Sequence, residues 1–287
     1  MSVELSIAVC TINPDQCLRM LKSLSEFVND CDQIMVFIDG QQFLTKEDPL
    51  LFFCQKNNIE FFINESNLGL SVCRNNAMQR AKNRWLVFFD DDTVLTDDVL
   101  TCFRKQFECG KTLGGARLVM PEAYKKKAWF LSPGYSYLFG IHNDEEKIWG
   151  ACFGFDNIIA INKNLKFDEQ LGRKGSGLQS GDDTQFIKEY RCINDNVFFI
   201  QVPVLHYFNP QRFTFKYIMK RVFWQGRSEF RRRNFNEGWK KERQRSGNFQ
   251  NAFQFATMIL LRTTFLFGGL WEKILKYGRR ASNEQKN

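Results

Sequence analysis

Residues 64–95, NESNLGLSVCRNNAMQRAKNRWLVFFDDDTVL, contain the pattern that decides the fold. Their periodicity predicts a helix from about Leu70 to Lys82. The apolar run WLVFF at 85–89 then predicts a strand that is buried on both faces, and three aspartates follow it directly. A helix that leads into a wholly apolar strand is typical of a parallel sheet covered by helices.

The same alternation of strands and helices extends from this stretch in both directions. Toward the amino terminus, the pattern predicts strands at 7–10, 34–38 and 59–63 and helices over 18–28 and near 48–57. Toward the carboxyl terminus it predicts strands in LGGARLV (113–119), CFGFDNIIAI (152–161) and NVFFIQV (196–202), a helix near 183–190, and mostly helix beyond Pro210. We therefore predict an α/β fold, with a mostly parallel sheet between helices on both faces and a helical carboxy-terminal extension.

Composition and cysteine usage exclude several protein classes. Hydrophobic residues make up 44% of the 287 residues and charged residues 25%, which excludes a disordered, collagenous or multi-span membrane protein. Nine cysteines without a CxxC pair, and two histidines, argue against a structural zinc module or a disulfide-rich scaffold. The amino terminus MSVELSIAVC lacks a basic segment and a long apolar stretch, so we expect no signal sequence, reduced thiols and a cytoplasmic location.

The positive charge is concentrated in one segment. Between Arg212 and Arg245 there are twelve Lys and Arg against three Glu, an excess larger than the formal charge of +8 of the whole chain. The rest of the protein is therefore close to neutral. The basic segment fits either a local anion-attracting surface or an ordinary solvated helix face.

Polar residues follow the predicted strands at the points where the strands end. Thr11 and Asn13 follow the first strand, Asp39 follows the second, and the aspartates at 90–92 follow the strand at 85–89. In parallel sheets, ligands bind beyond the carboxyl ends of the strands. These side chains are therefore candidates for a binding site.

The three aspartates indicate a divalent cation. Like charges at this spacing raise one another's pKa, and a cation relieves the repulsion. At a strand end Asp90 and Asp92 share one direction while Asp91 is opposed, and Mg²⁺ or Mn²⁺ binds carboxylate oxygens together with substrate phosphates. The alternative is that DDDTVLTDDVL (90–100) starts a helix, where the helix dipole favours acids.

Taken in order, these motifs resemble those of the inverting family-two glycosyltransferases of GT-A fold. The elements Asn-x-Gly, Arg-Asn and Asp-x-Asp of that family are matched here by Asn67, Gly69, Arg74, Asn75, Asp90 and Asp92. The resemblance extends across roughly Leu5 to Arg231, and its other stretches are SIAVCTINPDQCLRMLKSL (6–24), IMVFIDG (34–40), FDEQLGRKGSG (167–177), SGDDTQF (180–186) and VLHYFNPQRFTF (204–215). It implies a GT-A, Rossmann-like fold and sugar transfer from a nucleotide donor.

The resemblance implies a nucleotide side of the site. Thr11 and Asp39 match positions that hold the base and the ribose, and Arg74 matches a basic residue on the nucleotide side. We include Asn13, which follows the same strand as Thr11, among the nucleotide-binding candidates. These residues offer a hydroxyl, a carboxylate and a guanidinium for hydrogen bonds.

The resemblance also implies a cation. Asp90 and Asp91 would face the ribose and the cation, and Asp92 would ligate a Mn²⁺ or Mg²⁺ ion that bridges the diphosphate. The ion would act as a Lewis acid on the departing nucleoside diphosphate. His206 matches a histidine that completes the metal shell, although a lone histidine beside an apolar run is also typical of a packed core.

On the acceptor side, the resemblance implies a general base. Asp183 matches the residue that removes a proton from the acceptor hydroxyl, and Asp182 replaces the glutamate of the family's Glu-Asp pair. Ser-Gly-Asp-Asp before a helix is also an ordinary cap. Trp149 resembles an acceptor-site tryptophan, and a buried tryptophan explains it nearly as well.

Two departures from the family pattern bear on the reaction. Ile38-Asp39-Gly40 stands where the family usually has Asp-Asp-Gly, so one nucleotide contact is missing or is supplied elsewhere. Gln225-Gly226-Arg227 matches only part of the Gln-x-x-Arg-Trp element of processive relatives. The second departure favours the transfer of one sugar at a time. We predict a catalytic domain over 1–210, with nucleotide and acceptor halves that meet near residue 112, and a basic, apolar extension over 211–287.

The carboxy-terminal stretch 252–271, AFQFATMILLRTTFLFGGLW, has the length of a membrane span, with Arg262 near its centre. Because a central arginine is costly in hydrocarbon, we expect the stretch to lie in the interface of an anionic membrane, as a peripheral protein on the inner face of the plasma membrane. The alternative is a helix packed on the domain or on another subunit.

Two other functions remain as alternatives. A sugar-nucleotide transferase on a similar scaffold would carry a glycine-rich, basic phosphate loop after the first strand, and CTINPD (10–15) has none. A non-catalytic module could bind anionic lipid or nucleic acid through residues 212–245. The acids at 90–92 repel phosphate unless a metal is bound, and a pure binder needs no Asp183, so we expect a nucleotide-sugar donor, a glycan or lipid-linked acceptor and no nucleic acid.

Overall fold

A computed structural model of the protein describes residues 3–125, 131, 135, 138, 147–244 and 252–284. Within these ranges the chain forms two compact units. The sheet unit comprises 3–121, 147–175 and 182–208, and the helical unit comprises 122–125, 131, 135, 138, 176–181, 209–244 and 252–284. The predicted boundary at residue 210 and the division into nucleotide and acceptor halves stay predictions.

The described part of the sheet unit is built around a sheet of eight strands. The strands are β1 (Leu5–Thr11), β2 (Gln33–Ile38), β3 (Glu60–Ile63), β4 (Trp85–Asp90), β5 (Thr93–Leu95), β6 (Leu113–Val119), β7 (Cys152–Asp156) and β8 (Val197–His206). Their order is β3-β2-β1-β4-β7-β6-β8-β5. Strands β1 to β4 pair in parallel, as does β6 with β8, whereas β7 and β5 are antiparallel to their neighbours. The predicted mostly parallel sheet is confirmed.

Helices and loops connect these strands, and further helices follow the last strand. The helices are α1 (Pro14–Leu24), α2 (Pro49–Lys56), α3 (Leu70–Arg80), α4 (Val99–Glu108), α5 (Glu122–Lys125), α6 (Asn157–Asn162), α7 (Asp182–Ile193), α8 (Phe215–Arg231), α9 (Phe235–Gln244) and α10 (Ala252–Glu284). Short 3-10 turns lie at Gln41–Phe43 and Pro210–Phe213. Two sequence signals fix the starts of α1 and α2: Asn13 and Asp48 accept from first-turn N–H groups, and a proline follows each.

The core consists of two apolar layers, one on each face of the sheet. On β4, Val87 and Phe89 pack in one layer while Leu86 and Phe88 pack in the other, and each of the four is at most 2% exposed. Because successive side chains of a strand point to opposite faces, a wholly apolar strand requires helices on both sides. This arrangement confirms the interpretation of WLVFF as a central, doubly covered strand.

Two predicted elements differ from the structure. The run 152–161 is not one strand, because β7 ends at Asp156 and α6 follows it directly. The Asp156 side chain accepts from the N–H groups of Ile158 and Ile159, which starts the helix inside an apolar run. Strand β8 continues beyond the run 196–202 and ends at His206, which the sequence places directly after an apolar strand, and its register with β6 shifts between Ala116 and Arg117.

The helical unit is mostly helical beyond residue 210, as predicted. The backbones of α8 and α10 lie close together where glycines face the other helix. A Cβ atom on Gly226 would lie only 2.0 Å from the carbonyl oxygen of Phe265. A Cβ atom on Gly268 would lie 2.0 Å from the carbonyl oxygen of Phe223. By length and composition alone, Phe253–Tyr277 of α10 could cross a membrane, a property that core helices of soluble proteins share.

Candidate active site

The carboxyl ends of β1, β2 and β4 lie side by side. Thr11, the last residue of β1, is in register with Ile38 at the end of β2. Cys10 is in register with Asp90 at the end of β4. Asp39 follows β2, and its N–H donates to the carbonyl oxygen of Thr11 at 2.8 Å. The sheet thus brings together the polar residues that follow these strands in the sequence.

The three consecutive aspartates do not start a helix. Asp90 ends β4, a two-residue turn follows, and β5 begins at Thr93. The next helix, α4, begins at Val99 and is capped by the side chain of Asp98. The alternative in which residues 90–92 cap a helix is therefore wrong, and their three carboxyl groups lie at the sheet edge.

Thr11 ties the end of β1 to this turn. Its Oγ1 donates to Oδ2 of Asp91 at 2.6 Å and accepts from the N–H of Asn13 at 2.8 Å. The side chain of Asn13 accepts from the N–H of Gln16 at 3.2 Å, at the start of α1. The hydroxyl of Thr11 therefore orients Asp91, whereas Asn13 sets the start of a helix.

Asp39 organises the loop between β3 and α3. Its Oδ1 accepts from Nδ2 of Asn64 at 2.9 Å and from the N–H of Leu68 at 2.8 Å, and its Oδ2 accepts from the N–H of Gly69 at 2.8 Å. Gly69 adopts φ +111°, a conformation that favours glycine, which explains the Asn-x-Gly element at this point. Three of about four acceptor positions of the buried carboxylate are thus used within the protein.

Arg74 connects two carboxylates from different elements. Its Nη1 donates to Oδ2 of Asp182 at 2.9 Å, and its Nη2 donates to Oδ1 of Asp90 at 3.2 Å and to the carbonyl oxygen of Gly150 at 3.0 Å. The guanidinium is buried and lies near the rings of Phe88 and two neighbouring phenylalanines. Arg74 therefore joins the end of β4 to the start of α7.

Burial and charge oppose each other in this network. Burial raises the pKa of Asp90 above its ordinary value, although 35% of its side chain is exposed, and the charge of Arg74 lowers the pKa in part. Burial likewise raises the pKa of Asp182 against the effect of Arg74. Burial alone would lower the pKa of Arg74, but the carboxylates of Asp182, Asp90 and Asp183 raise it overall, so the guanidinium stays charged.

Asp183 lies beside the peptide of Gly150. Its Oδ2 accepts from the N–H of Gly150 at 3.0 Å, and its side chain is half-buried in the first turn of α7. Trp149, the neighbouring residue, is also half-buried, and Nζ of Lys147 lies 3.8 Å from the centre of its ring. Asp182, Asp183 and Trp149 thus cluster around one short turn before β7.

Asp92 and His206 meet where β5 pairs with β8, directly after Asp91, and the charges of both act on Asp90. Strands β5 and β8 pair with Thr93 opposite His206, and Nε2 of His206 lies 3.0 Å from Oδ1 of Asp92. The N–H of Tyr207 donates to the carbonyl oxygen of Asp92 at 2.6 Å. Both side chains are buried, so the pair is held in place by the sheet.

This pair could hold a divalent cation if the substrate supplies further ligands. Among the residues that the structure describes, no group of three or more His, Cys, Asp or Glu side chains is arranged to hold a metal ion. Mg²⁺ is usually bound by one or two protein carboxylates, waters and substrate phosphates. The carboxylate of Asp92 suits Mn²⁺ or Mg²⁺, the imidazole of His206 suits a transition-metal ion such as Mn²⁺ better than Mg²⁺, and the number of donors fits an ion completed by phosphate oxygens.

Two residues near the site were not predicted from the sequence. Asn64 directly follows β3, so the rule that polar residues after strands line the site would have found it. Arg173 is exposed, its charge lowers the pKa of Asp90, and its carbonyl oxygen accepts from the N–H of Leu70 at 2.9 Å. It lies within the quoted stretch 167–177, but no spacing rule singles it out.

The sequence matches one family of proteins over slightly more than half of its length. The family described as "Glycosyl transferase family 2" matches residues 6–155. No curated protein sequence matches the chain.

Several solved structures share the fold at low sequence identity. A structure of S. aureus TarS residues 1–349 in complex with UDP has a TM-score of 0.54 and 13% identity, covering 83% of this chain and 69% of that one. The same fragment in complex with UDP-GlcNAc has a TM-score of 0.53 and 12% identity, covering 93% and 81%. The mannosyltransferase PcManGT from Pyrobaculum calidifontis, in complex with GDP-Man and Mn²⁺, has a TM-score of 0.59 and 10% identity, covering 94% and 87%. The architecture is therefore of the GT-A type.

Proposed function

This chain belongs to glycosyltransferase family 2, and from that membership we propose a metal-dependent, inverting transfer of one sugar from a nucleotide-sugar donor. The acceptor is a hydroxyl group of a glycan or a lipid-linked glycan, in the synthesis of a surface polysaccharide or glycoconjugate. UDP-GlcNAc and GDP-Man, bound to the structural neighbours, support a nucleotide-sugar donor. Family membership favours transfer over the two alternatives, a sugar-nucleotide transferase and a non-catalytic binding module.

One observation carries this proposal. Arg74 is ion-paired both with Asp90 at the end of β4 and with Asp182 at the start of α7. Asp183, the next residue, accepts from the same Gly150 peptide whose carbonyl oxygen accepts from Arg74. Asp90 on the donor side and Asp183, the proposed base, therefore belong to one hydrogen-bonded network. This network supports a fixed position of the base relative to the donor.

On the donor side, we assign the nucleotide to the sheet edge formed by Thr11, Asp39, Asp90 and Asp91. Asp39 has one remaining acceptor position for a base or ribose donor, and Asp91 is half-buried and held by Thr11. Asn13 contributes through the start of α1. Arg74 acts by positioning Asp90 and Asp182, because its guanidinium is already engaged by protein groups.

Asp92 and His206 would hold the divalent cation. Mn²⁺ or Mg²⁺, when bound, supplies Lewis acidity that neutralises the charge of the departing diphosphate. The chain itself holds the two ligands at 3.0 Å from each other and buries both, so little reorganisation is needed. The remaining coordination positions are left to phosphate oxygens and water.

Asp183 is the proposed general base. A carboxylate oxygen of Asp183 takes the proton of the acceptor hydroxyl while the oxygen of that hydroxyl bonds to the anomeric carbon. The bond from the anomeric carbon to the diphosphate oxygen breaks on the opposite side, and the electron pair leaves with the nucleoside diphosphate. In-line attack inverts the anomeric centre. Trp149 and Asp182, beside Asp183, are the proposed acceptor-side residues.

The proposal places the protein in the cytoplasm, at the inner face of the plasma membrane. All nine cysteines are free thiols, which agrees with a reducing compartment. The incomplete Gln225-Gly226-Arg227 element favours addition of a single sugar. A lipid-linked acceptor would bring the protein to a membrane surface.

The function is tested by a scan of nucleotide sugars. The purified protein is incubated with each donor, with Mn²⁺ or with a chelator, and release of nucleoside diphosphate is measured. We expect release from one donor class with Mn²⁺ and none with the chelator. Proton NMR of the sugar transferred to water from that donor should first show the inverted anomer.

The outcomes separate the parts of the proposal. Undiminished release in the chelator would contradict metal dependence alone, and a retained anomer would contradict inversion. Absence of release from every donor, with and without glycan acceptors, would overturn the proposed transfer. Asp195→Asn, at an exposed position after α7, serves as the control variant and should match the wild type.

A further inference from the structure

Helix α10 packs on the rest of its unit through a mixed face. On this face Met258, Leu261 and Phe265 are buried together with the polar side chains of Gln254, Thr257 and Glu272, which are 3%, 5% and 8% exposed. Large apolar side chains occupy the opposite side of the same helix and are exposed. Soluble proteins expose single apolar residues routinely, but a continuous exposed apolar face marks a surface that contacts another molecule or a membrane.

The exposed residues form one continuous surface, called here the apolar stripe. Its members are between 43% and 64% exposed and recur at helical spacing: Leu260, Phe267, Leu270, Trp271, Ile274 and Tyr277. At 1.5 Å per residue the apolar stripe is about 25 Å long. Aromatic residues with a polar edge stand near its carboxyl end, as is common at membrane interfaces.

The exposed charge on the described positions of α8, α9 and α10 is mostly positive. The acids Glu229, Glu242 and Glu272 are buried. Among the described positions of α8, α9 and α10, the exposed basic residues are Lys216, Lys220, Lys240, Lys241, Arg243, Lys273 and Lys276, against the exposed acid Glu237. The burial of the glutamates therefore leaves an excess of exposed positive charge on the three helices, two of whose lysines, Lys273 and Lys276, lie on α10 itself, and this charge complements anionic lipid headgroups.

We propose that α10 lies in the plane of an anionic membrane, with the apolar stripe inserted at the boundary between headgroups and acyl chains. Spanning is disfavoured because α8, with its arginines, packs along the opposite face of α10 and would have to enter the hydrocarbon. The buried Glu272 pairs with Arg227 and Arg231 and keeps the polar side of the helix within the protein. The inference deepens the proposed function and rests on it only for the idea of a lipid-linked acceptor.

Vesicle sedimentation tests the proposal independently of activity. The full chain is mixed with vesicles of phosphatidylcholine alone or of phosphatidylcholine with phosphatidylglycerol, at low and high salt. We expect binding to the anionic vesicles at low salt and release as salt rises, because surface charges are screened beyond a Debye length of about 8–10 Å. Phe267→Ser combined with Ile274→Ser should lower partitioning at least about tenfold.

The matched control changes two exposed apolar residues of the sheet unit. Phe52 and Ile158 are 69% and 52% exposed, so Phe52→Ser with Ile158→Ser removes similar apolar area from the sheet unit and leaves α10 unchanged. This control should bind vesicles as the wild type does. Equal binding by the wild type, the control and the apolar-stripe variant would overturn the proposal, as would loss of the thermal transition in the apolar-stripe variant alone.

Two further measurements exclude other occupants. Blue-shifted fluorescence on vesicle binding, absent from Trp271→Phe, would place the apolar stripe in lipid. A second copy of the chain is the main competitor for this surface. A wild-type dimer without lipid that dissociates in the Phe267→Ser and Ile274→Ser variant would overturn the membrane proposal. Nucleoside diphosphate release in solution is expected to be the same in all variants, so failure of docking and failure of the proposed function are distinguishable.

Discussion

The backbone N–H of Gly150 donates to Oδ2 of Asp183 at 3.0 Å, and this contact leaves no room for a side chain at position 150. A Cβ atom on Gly150 would lie 2.4 Å from that oxygen. The carbonyl oxygen of the same residue accepts from Arg74 at 3.0 Å. One residue therefore fixes the carboxylate proposed as the base and joins it to the ion pairs of the donor side.

Gly150→Ala should displace Asp183 without unfolding the protein. The added methyl group must push the carboxylate away, since the flexible side chain yields more easily than the backbone. A shift of about 1 Å in a catalytic group costs up to about 100-fold in rate. We expect kcat to fall about 10- to 100-fold with the donor KM nearly unchanged. A wild-type kcat would show that the position of Asp183 does not govern the reaction.

Asp183→Asn should abolish transfer while donor binding persists. The amide cannot take a proton from the acceptor hydroxyl, and general base catalysis typically contributes about 10²- to 10⁴-fold. Calorimetry of donor binding and a transfer assay check the two parts separately, with Asp195→Asn as control. Loss of donor binding together with a much lower melting temperature would instead assign Asp183 a role in starting α7.

The sheet was predictable where local patterns agree with the tertiary structure. Each of β1, β2 and β4 is an apolar run with a polar residue at its end, and both signals point to the same element. The assignment of 152–161 as one strand was wrong, because an apolar segment of this length fits a strand or a buried helix equally well. The side chain of Asp156 decides between them by capping α6, and a capping contact inside an apolar run leaves no periodic signal.

The candidate site was predictable as a set of residues but not as a set of contacts. The sequence places polar residues at strand ends, and parallel pairing then brings Thr11, Asp39 and Asp90 to one edge. The Asp92 and His206 contact depends on antiparallel pairing of β5 with β8, which are more than 100 residues apart. The resemblance supplied both residues, whereas periodicity alone could not have paired them.

Arg74→Met should destabilise the protein more than Arg74→Lys. Methionine leaves the carboxylates of Asp90 and Asp182 without their shared cation, and breaking a buried ion pair costs about 3–5 kcal/mol. Lysine keeps the charge, but its single ammonium group cannot bond both carboxylates as the planar guanidinium does. Urea unfolding measures both variants, with the exposed Arg80→Met as control on the same helix. Equal stability of the two Arg74 variants would contradict the bridging role.

Asp92→Asn should retain the fold and lose most of the Mn²⁺-dependent activity. The amide fills the same space beside His206 but supplies no anionic ligand. Release of nucleoside diphosphate is titrated with Mn²⁺ for the wild type, for Asp92→Asn and for Asp97→Asn, an exposed neighbour that should behave as the wild type. An unchanged titration in Asp92→Asn would remove this residue from the metal site.

Glu272→Gln tests the buried ion pairs of the helical unit through their pH dependence. Burial raises the pKa of Glu272, but hydrogen bonds from Arg231 and Arg227 outweigh it and lower the pKa below its ordinary value of 4.5. A lowered pKa in the folded state stabilises the protein above pH 4.5, and this stabilisation is lost as pH falls through the folded-state pKa.

The wild type should therefore lose stability as the pH is lowered below 4.5, and Glu272→Gln should lose less over the same range. At neutral pH the variant should be less stable by about 3 kcal/mol, because two arginines lose their shared carboxylate. Circular dichroism melting curves from pH 3 to pH 7, about the range in which carboxyl groups titrate, measure both effects. Glu237→Gln, at an exposed position on α9, controls for a general change of charge. If Glu272→Gln and Glu237→Gln follow the same pH profile, Glu272 does not anchor α10 through its charge.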